Sequence, residues 1–376
     1  MSKIGRFVVD AHIHCGKKDE TAKTTRVEGI YREVEAVDNS GQALFDMDAY
    51  GVDMGVLLPS FVGTHSKEYA DICRKNPTRF RTCAVETELR LACSKGEKVW
   101  SIKEAIDELD SYFANDDMFV GVGEFSPGSM GVIRDRPTKI DRFREWCIIA
   151  EFCTHYDIPC FTHEFTSYCM EEHLTMIAGV CTKYPAFKVI IAHGGGSKED
   201  DIKKACSLAR NFENIYLETG YWRAEYYEHA LRDPDLGAAK LIWGGGDSGS
   251  HIWYPMINHG AVRSDINNVY CNRNNWVWTG SKAVDYQPDF LGWATHQVHR
   301  LKDLDMCTQD EINLIVGGNA CRVYKLPIPD NCTFAACRPD LNLMPREIMN
   351  AQVPVKRAQF MWPEGVEYMA GAHTII

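Results

Sequence analysis

No apolar stretch in this chain approaches the roughly 20 residues a membrane-crossing helix needs, and no Lys or Arg block runs beyond a few residues. A membrane partner is therefore not expected. A nucleic-acid partner is excluded on the same reading, because the formal net charge is −11 and a basic footprint is missing. The opening MSKIGRFVVDAHIH lacks a basic segment followed by an apolar run and a small-residue cleavage site, so a cytoplasmic protein is expected. The 15 cysteines contain no CxxC pair and sit in apolar periodic segments such as EWCIIAEFC, which argues for reduced, buried thiols rather than a disulfide framework. A GxSxG nucleophile elbow is absent too, so HGGG at 193–196 has no esterase serine to serve. Internal repeats and low-complexity tracts are missing.

What is present is a chain of 376 residues, 45% hydrophobic and 25% charged, able to bury a large core. Short apolar runs rich in β-branched residues recur at 7–14, 54–60, 80–86, 119–125, 158–165, 188–195, 214–220 and 240–247. Their near-continuous hydrophobicity predicts strands covered on both faces. Between them lie helix-like segments such as 65–76, closed by Pro77, then 101–115, 139–156, 171–184 and 198–211. In 139–156 the apolar face is read as Ile140, Phe143, Trp146, Cys147 and Ala150. Eight alternations predict an α/β fold, a (β/α)8 TIM barrel, over residues 1–326. Segments 17–50 and 248–305 are too long for simple connections and are expected to act as lids; the second holds Trp253, Trp276, Trp278 and Trp293. Residues 327–376 read as a C-terminal extension lying on this barrel or on a neighbouring subunit, and a homo-oligomer is expected.

In such a barrel the reacting groups stand at the C-terminal ends of the strands. The polar exceptions to the apolar runs fall there: His12 and His14 on the first, Glu124 on the fourth, His163 and Glu164 on the fifth. His193, Glu218 and Asp247 close the sixth, seventh and eighth. Residues two apart on a strand share a face, so His12 and His14 aim inward together while Ile13 turns toward the helices. Each histidine alone is ordinary. Four strand-end histidines with an aspartate suit one divalent ion, zinc before manganese.

These residues, in this order, resemble the amidohydrolase superfamily, and within it the branch of aminocarboxymuconate semialdehyde decarboxylase and the hydroxybenzoate decarboxylases. The resemblance rests on VVDAHIHCG, GVDMGVLLPS, GVGEF, PCFTHE, VIIAHGGG, LIWGGGDS and GGNACRVYKL, and spans roughly residues 7–326. It implies that His12, His14, His163 and Asp247 hold the metal and that His193 is the acid/base; Asp247 could also shuttle a proton. The family's bridging carboxylated lysine has no counterpart, since the fourth strand ends in Glu124, so one ion is expected. Glu124 is then read as an acceptor behind a ligand histidine, with a bridge between two ions as the alternative.

The resemblance implies a non-oxidative decarboxylase acting on an aromatic or conjugated unsaturated carboxylic acid. Hydrolysis of a lactone, amide or ester, or hydration of a conjugated double bond, is the alternative on the same ligands. The expected partner is a small carboxylate, with Arg223 a candidate clamp for it. A metal-binding regulator without chemistry is disfavoured because His193 and the ligand set are intact. GGGDSG at 244–249 matches a dinucleotide pattern but is followed by HIWYP, not by a helix; His296 and His299, which could share a helical face, are read as surface or packing residues.

Overall fold

The computed structural model describes residues 7–15, 40–59, 65–125, 139–163, 170–196, 199–245 and 290–327. Eight parallel strands stand there in chain order: β1 (Val9–Ile13), β2 (Met54–Leu57), β3 (Phe80–Ala84), β4 (Phe119–Phe125), β5 (Cys160–Thr162), β6 (Val189–Ile191), β7 (Ile215–Glu218) and β8 (Leu241–Ile242). Each strand pairs with the next, and the Ala11 amide donates to the Trp243 carbonyl at 3.2 Å, so the two ends of the sheet meet in a nearly closed barrel. The expected (β/α)8 architecture is present.

The helices are α1 (Ser40–Tyr50), α2 (Ser66–Lys75), α3 (Thr87–Ser94), α4 (Ile102–Phe113), α5 (Lys139–Tyr156), α6 (Met170–Lys183) and α7 (Glu199–Asn211). They continue with α8 (Glu228–Leu231), α9 (Phe290–Asp303), α10 (Gln309–Asn313) and α11 (Asn319–Tyr324). Local chemistry sets several starts: the Ser101 hydroxyl accepts from the Glu104 amide at α4, and Thr308 with Glu311 forms a reciprocal capping box at α10. In α5 the expected face holds for Trp146, Cys147 and Ala150, but Ile140 is 65% exposed. It lies in the first turn of the helix, where Arg142 is the buried side chain.

Two apolar layers build the core. The inner one takes alternate strand residues, among them Val9, Ala11, Val56, Cys83, Phe161, Ile190 and Ile242, and is stoppered by Ala320, Val323 and Tyr324 of α11. The outer layer sets Leu57, Phe80, Val122, Ile191 and Leu217 against the surrounding helices. Complete burial of Phe125, Phe161 and Phe187 contributes roughly 1.5–3 kcal/mol for each side chain. Asn319 ties the stopper to the wall, donating to the carbonyls of Ala238 at 2.8 Å and Leu241 at 2.7 Å.

One irregularity aims the site. With Val9 and Ala11 pointing inward, strict alternation would turn His12 outward. The register of β1 against β2 shifts between Asp10 and Ile13, so Ile13 joins the outer layer and His12 faces inward against the Phe161 ring. The Asp10 carboxylate stabilises this turn of the chain by accepting from the His12 amide at 3.0 Å and from the Gly245 amide at 2.7 Å.

The lid segment 17–50 is described only in α1, and 248–305 only from α9 onward; Trp253, Trp276 and Trp278, like residues 328–376, lie outside the described residues. The two described ends pack on one another, and α9 is fastened to the loop after β7, where Gln297 accepts from the Ala224 amide at 3.0 Å. Among the described residues no helix is long and apolar enough to cross a membrane. The cysteines described form no disulfide, and burial pushes thiols such as Cys73, Cys181 and Cys206 up to about 12.

Candidate metal and acid-base site

Five of the strand-end residues meet at the C-terminal mouth of the barrel. His12 and Glu218 are fully buried, and Glu124, His14 and His193 nearly so. Their positions follow from the strands: His12 lies on β1 with His14 just past it, Glu124 is the penultimate residue of β4, and Glu218 ends β7. His193 sits in the 3-10 turn Ala192–Gly195 directly after β6. His163 follows β5, and its ring lies 5.0 Å from that of His193, edge to face.

Hydrogen-bond partners dictate the imidazole tautomers. The Nδ1 of His14 lies 2.9 Å from the Leu58 carbonyl oxygen, which can only accept, so Nδ1 carries the proton. The Nδ1 of His12 lies 3.1 Å from Glu218 Oε2 and donates likewise. With Nδ1 committed on both rings, the two Nε2 atoms face one another 3.0 Å apart. Glu124 Oε1 completes the group at 3.0 Å from His12 Nε2 and 3.7 Å from His14 Nε2. Three such atoms so close need positive charge among them, as a proton on an imidazole or as a metal ion. Donors bound ~2.0–2.1 Å from one tetrahedral ion stand roughly 3.3 Å apart, so the observed spacing fits a divalent metal. His12, His14 and Glu124 are a group able to hold an ion, and His12, His193 and Glu218 form an overlapping second group.

His193 is held in an unusual conformation. Its backbone is left-handed at φ 52, followed by Gly194 at φ 53, a region that costs a non-glycine residue about 1–2 kcal/mol. Two bonds oppose that cost: the His193 amide donates to Glu218 Oε2 at 2.7 Å, and the Trp222 indole donates to the His193 carbonyl at 2.8 Å. Glycine is required next to it, because a Cβ on Gly194 would stand 2.3 Å from the Trp222 ring. The result stacks the His193 ring on His12 at 4.8 Å, with Tyr221 on another side at 4.7 Å.

Burial acts to raise the Glu124 carboxyl, but His14, His12 and His163 outweigh it and hold the group down at about 2. Glu218 behaves alike: burial raises it, His12 and His193 prevail, and it lies below the ordinary carboxylate range. Both are anions at neutral pH. A buried site carrying two carboxylates and at least three imidazoles is suited to a cation.

Other candidates among the described residues are not gathered there. Glu86, two residues past β3, is buried with its carboxylate committed to Arg90 Nε and Trp100 Nε1, each at 2.9 Å. Arg223 is exposed at the start of the 3-10 turn Ala224–Tyr227, where its charge helps to lower Glu225. His296 and His299 are exposed on α9. Asp247 and Glu164 lie outside the described residues, although Asp10 brings the chain to Gly245 beside His12. Sequence reasoning noticed Glu218 as a strand-end acid but gave it no role. Its period-two position on a buried strand was the available signal.

The family model described as Amidohydrolase matches residues 9–326. The chain belongs to the amidohydrolase family, whose members are metal-dependent enzymes on this barrel. Among solved structures, similarity extends to a probable 2-pyrone-4,6-dicarboxylic acid hydrolase from Acinetobacter baumannii, with citric acid bound. It is 16% identical, covers 84% of this chain and 98% of its own, and has a TM-score of 0.50. A 4-oxalomesaconate hydratase from Rhodopseudomonas palustris is 17% identical over 85% of this chain and 95% of its own, with a TM-score of 0.51. At such identities the likeness concerns the fold. No curated protein matches the chain by sequence.

Proposed function

We propose that this chain is a metal-dependent non-oxidative decarboxylase of an aromatic or conjugated unsaturated carboxylic acid. The observation that supports it most is the convergence of His12 Nε2, His14 Nε2 and Glu124 Oε1 beside the buried ring of His193. The proposed ligands are His12, His14, His163 and Asp247, with Glu124 the acceptor behind a ligand histidine or, with two ions, a bridge between them. One divalent ion, zinc before manganese, supplies Lewis-acid stabilisation of negative charge on a substrate oxygen.

The chain's own groups then do the following. His193 has Nδ1 3.5 Å from Glu218 Oε2, and in this proposal the doubly protonated ring gives its Nε2 proton to the carbon that loses carbon dioxide and is left neutral. Asp247 is the alternative proton carrier in this proposal. Phe161 and Tyr221 pack against the rings of His12 and His193 and fix them in place. Arg223 is the proposed clamp for the substrate carboxylate.

The second reading is hydrolysis or hydration. It is favoured by the activities of the two similar solved structures, a probable 2-pyrone-4,6-dicarboxylic acid hydrolase and a 4-oxalomesaconate hydratase. A panel of planar hydroxy acids and conjugated diacids, assayed for carbon dioxide release in heavy water, separates the two. Decarboxylation places one deuterium on the carbon that bore the carboxylate. Turnover that releases no carbon dioxide, and leaves oxygen-18 from labelled water in a new carboxylate, refutes the lyase reading.

A further inference from the structure

Glu218 is not among the proposed ligands, yet it is fully buried between them and His193, whose Nδ1 lies 3.5 Å from its Oε2. Its Oε2 accepts from His12 Nδ1 at 3.1 Å and from the His193 amide at 2.7 Å, and its Oε1 accepts from the Gly220 amide. All three partners are donors, and they come from β1, the turn after β6 and the turn after β7. The space on the other side is reserved for this carboxylate, since a Cβ on Gly244 would stand 2.2 Å from Glu218 Oε1.

We infer that Glu218 is the positioning residue that joins the two halves of the site. One oxygen fixes the proton of His12 on Nδ1, so that Nε2 faces His14 and Glu124 with its lone pair. The same oxygen holds the left-handed His193 backbone against the His12 ring. Metal ligand and acid/base are thereby set by a single carboxylate, so a change at residue 218 disturbs both together. This rests on the proposed metal site, but its structural core, the His12 tautomer, can be measured without metal.

The amide of glutamine has nearly the same shape and is electrostatically wrong here. Whichever way it is turned, its NH2 group faces an N–H donor. Glu218→Gln is therefore expected to weaken zinc binding by roughly 10–100-fold in competition with a chromophoric chelator, the usual effect of losing a carboxylate behind a ligand histidine. Gly244→Ala, which crowds the carboxylate without removing it, should weaken binding in the same direction. In metal-free, 15N-histidine-labelled wild type, long-range proton–nitrogen correlation should show His12 protonated on Nδ1, and Glu218→Gln should disturb that state.

A wild-type His12 without a proton on Nδ1 overturns the inference without any variant being needed. So does a folded Glu218→Gln protein that binds zinc within twofold of wild type. If Glu218→Gln does not fold, wild-type zinc affinity in Gly244→Ala overturns it. Wild type that takes up no divalent metal refutes the metal site, while the tautomer measurement still decides the role of Glu218.

Discussion

Arg90→Met tests whether a strand-end carboxylate outside the site is structural. Glu86 and Arg90 are both essentially inaccessible, and the guanidinium gives Glu86 two bonds, at 2.9 and 3.4 Å. Methionine removes both donors and leaves the carboxylate with the Trp100 indole, at 2.9 Å, as its remaining partner in the triad. Hydrogen bonds to charged groups are worth about 1.5–3 kcal/mol each, and stripping one partner from a buried ion pair costs about 3–5 kcal/mol. The two routes agree on a loss of about 3–5 kcal/mol for Arg90→Met. Replacing both residues, Glu86→Gln with Arg90→Met, removes the stranded charge and should cost much less than the single change. Chemical unfolding of wild type, both single variants and the double variant forms a cycle whose coupling energy should be about 2–4 kcal/mol. Strictly additive losses, or a single-variant loss under about 1 kcal/mol, would refute the reasoning, since the charge would then be reaching solvent.

Three further outcomes are expected. Protein purified without chelator should carry close to one divalent metal per chain by elemental analysis; two reproducible equivalents would mean that Glu124 bridges a pair. His193→Asn should keep that metal while lowering kcat by about two to four orders of magnitude, and metal loss equal to that of His163→Ala would make His193 a ligand instead. At the Asp157 carboxyl, burial acts to raise the pKa, but Lys188 and Lys325 outweigh it and hold the group below its ordinary value. Its stabilisation is therefore present above the unfolded value near ~3.9 and is lost as pH falls through the lower folded value. Because that side chain is 61% exposed, Asp157→Asn should cost under about 1 kcal/mol at neutral pH and flatten the acid limb of a urea-midpoint profile.

Much of the barrel was legible from one chain because a buried parallel strand must be apolar on both faces. The eight runs of such composition all became strands. The same rule exposed the site: within a run that must be apolar, a polar residue needs a reason, and His12, His14, Glu124, His193 and Glu218 were visible on that ground. Helix periodicity was a coarser guide, and it took in Ile140, which tertiary packing leaves outside.

Three things depended on the folded chain. Glu86 and Glu124 both stand near strand ends, and composition treats them alike. Only the neighbours differ, with Arg90 and Trp100 around the first and three histidines around the second. The inward aim of His12 depends on the register shift after Asp10, and a pattern of period two does not encode a bulge. Glu218 finds His12 across 206 residues of sequence, a distance at which no spacing rule operates. Composition can say that a buried carboxylate must have partners, because leaving it alone costs too much; closure of the barrel selects which partners those are.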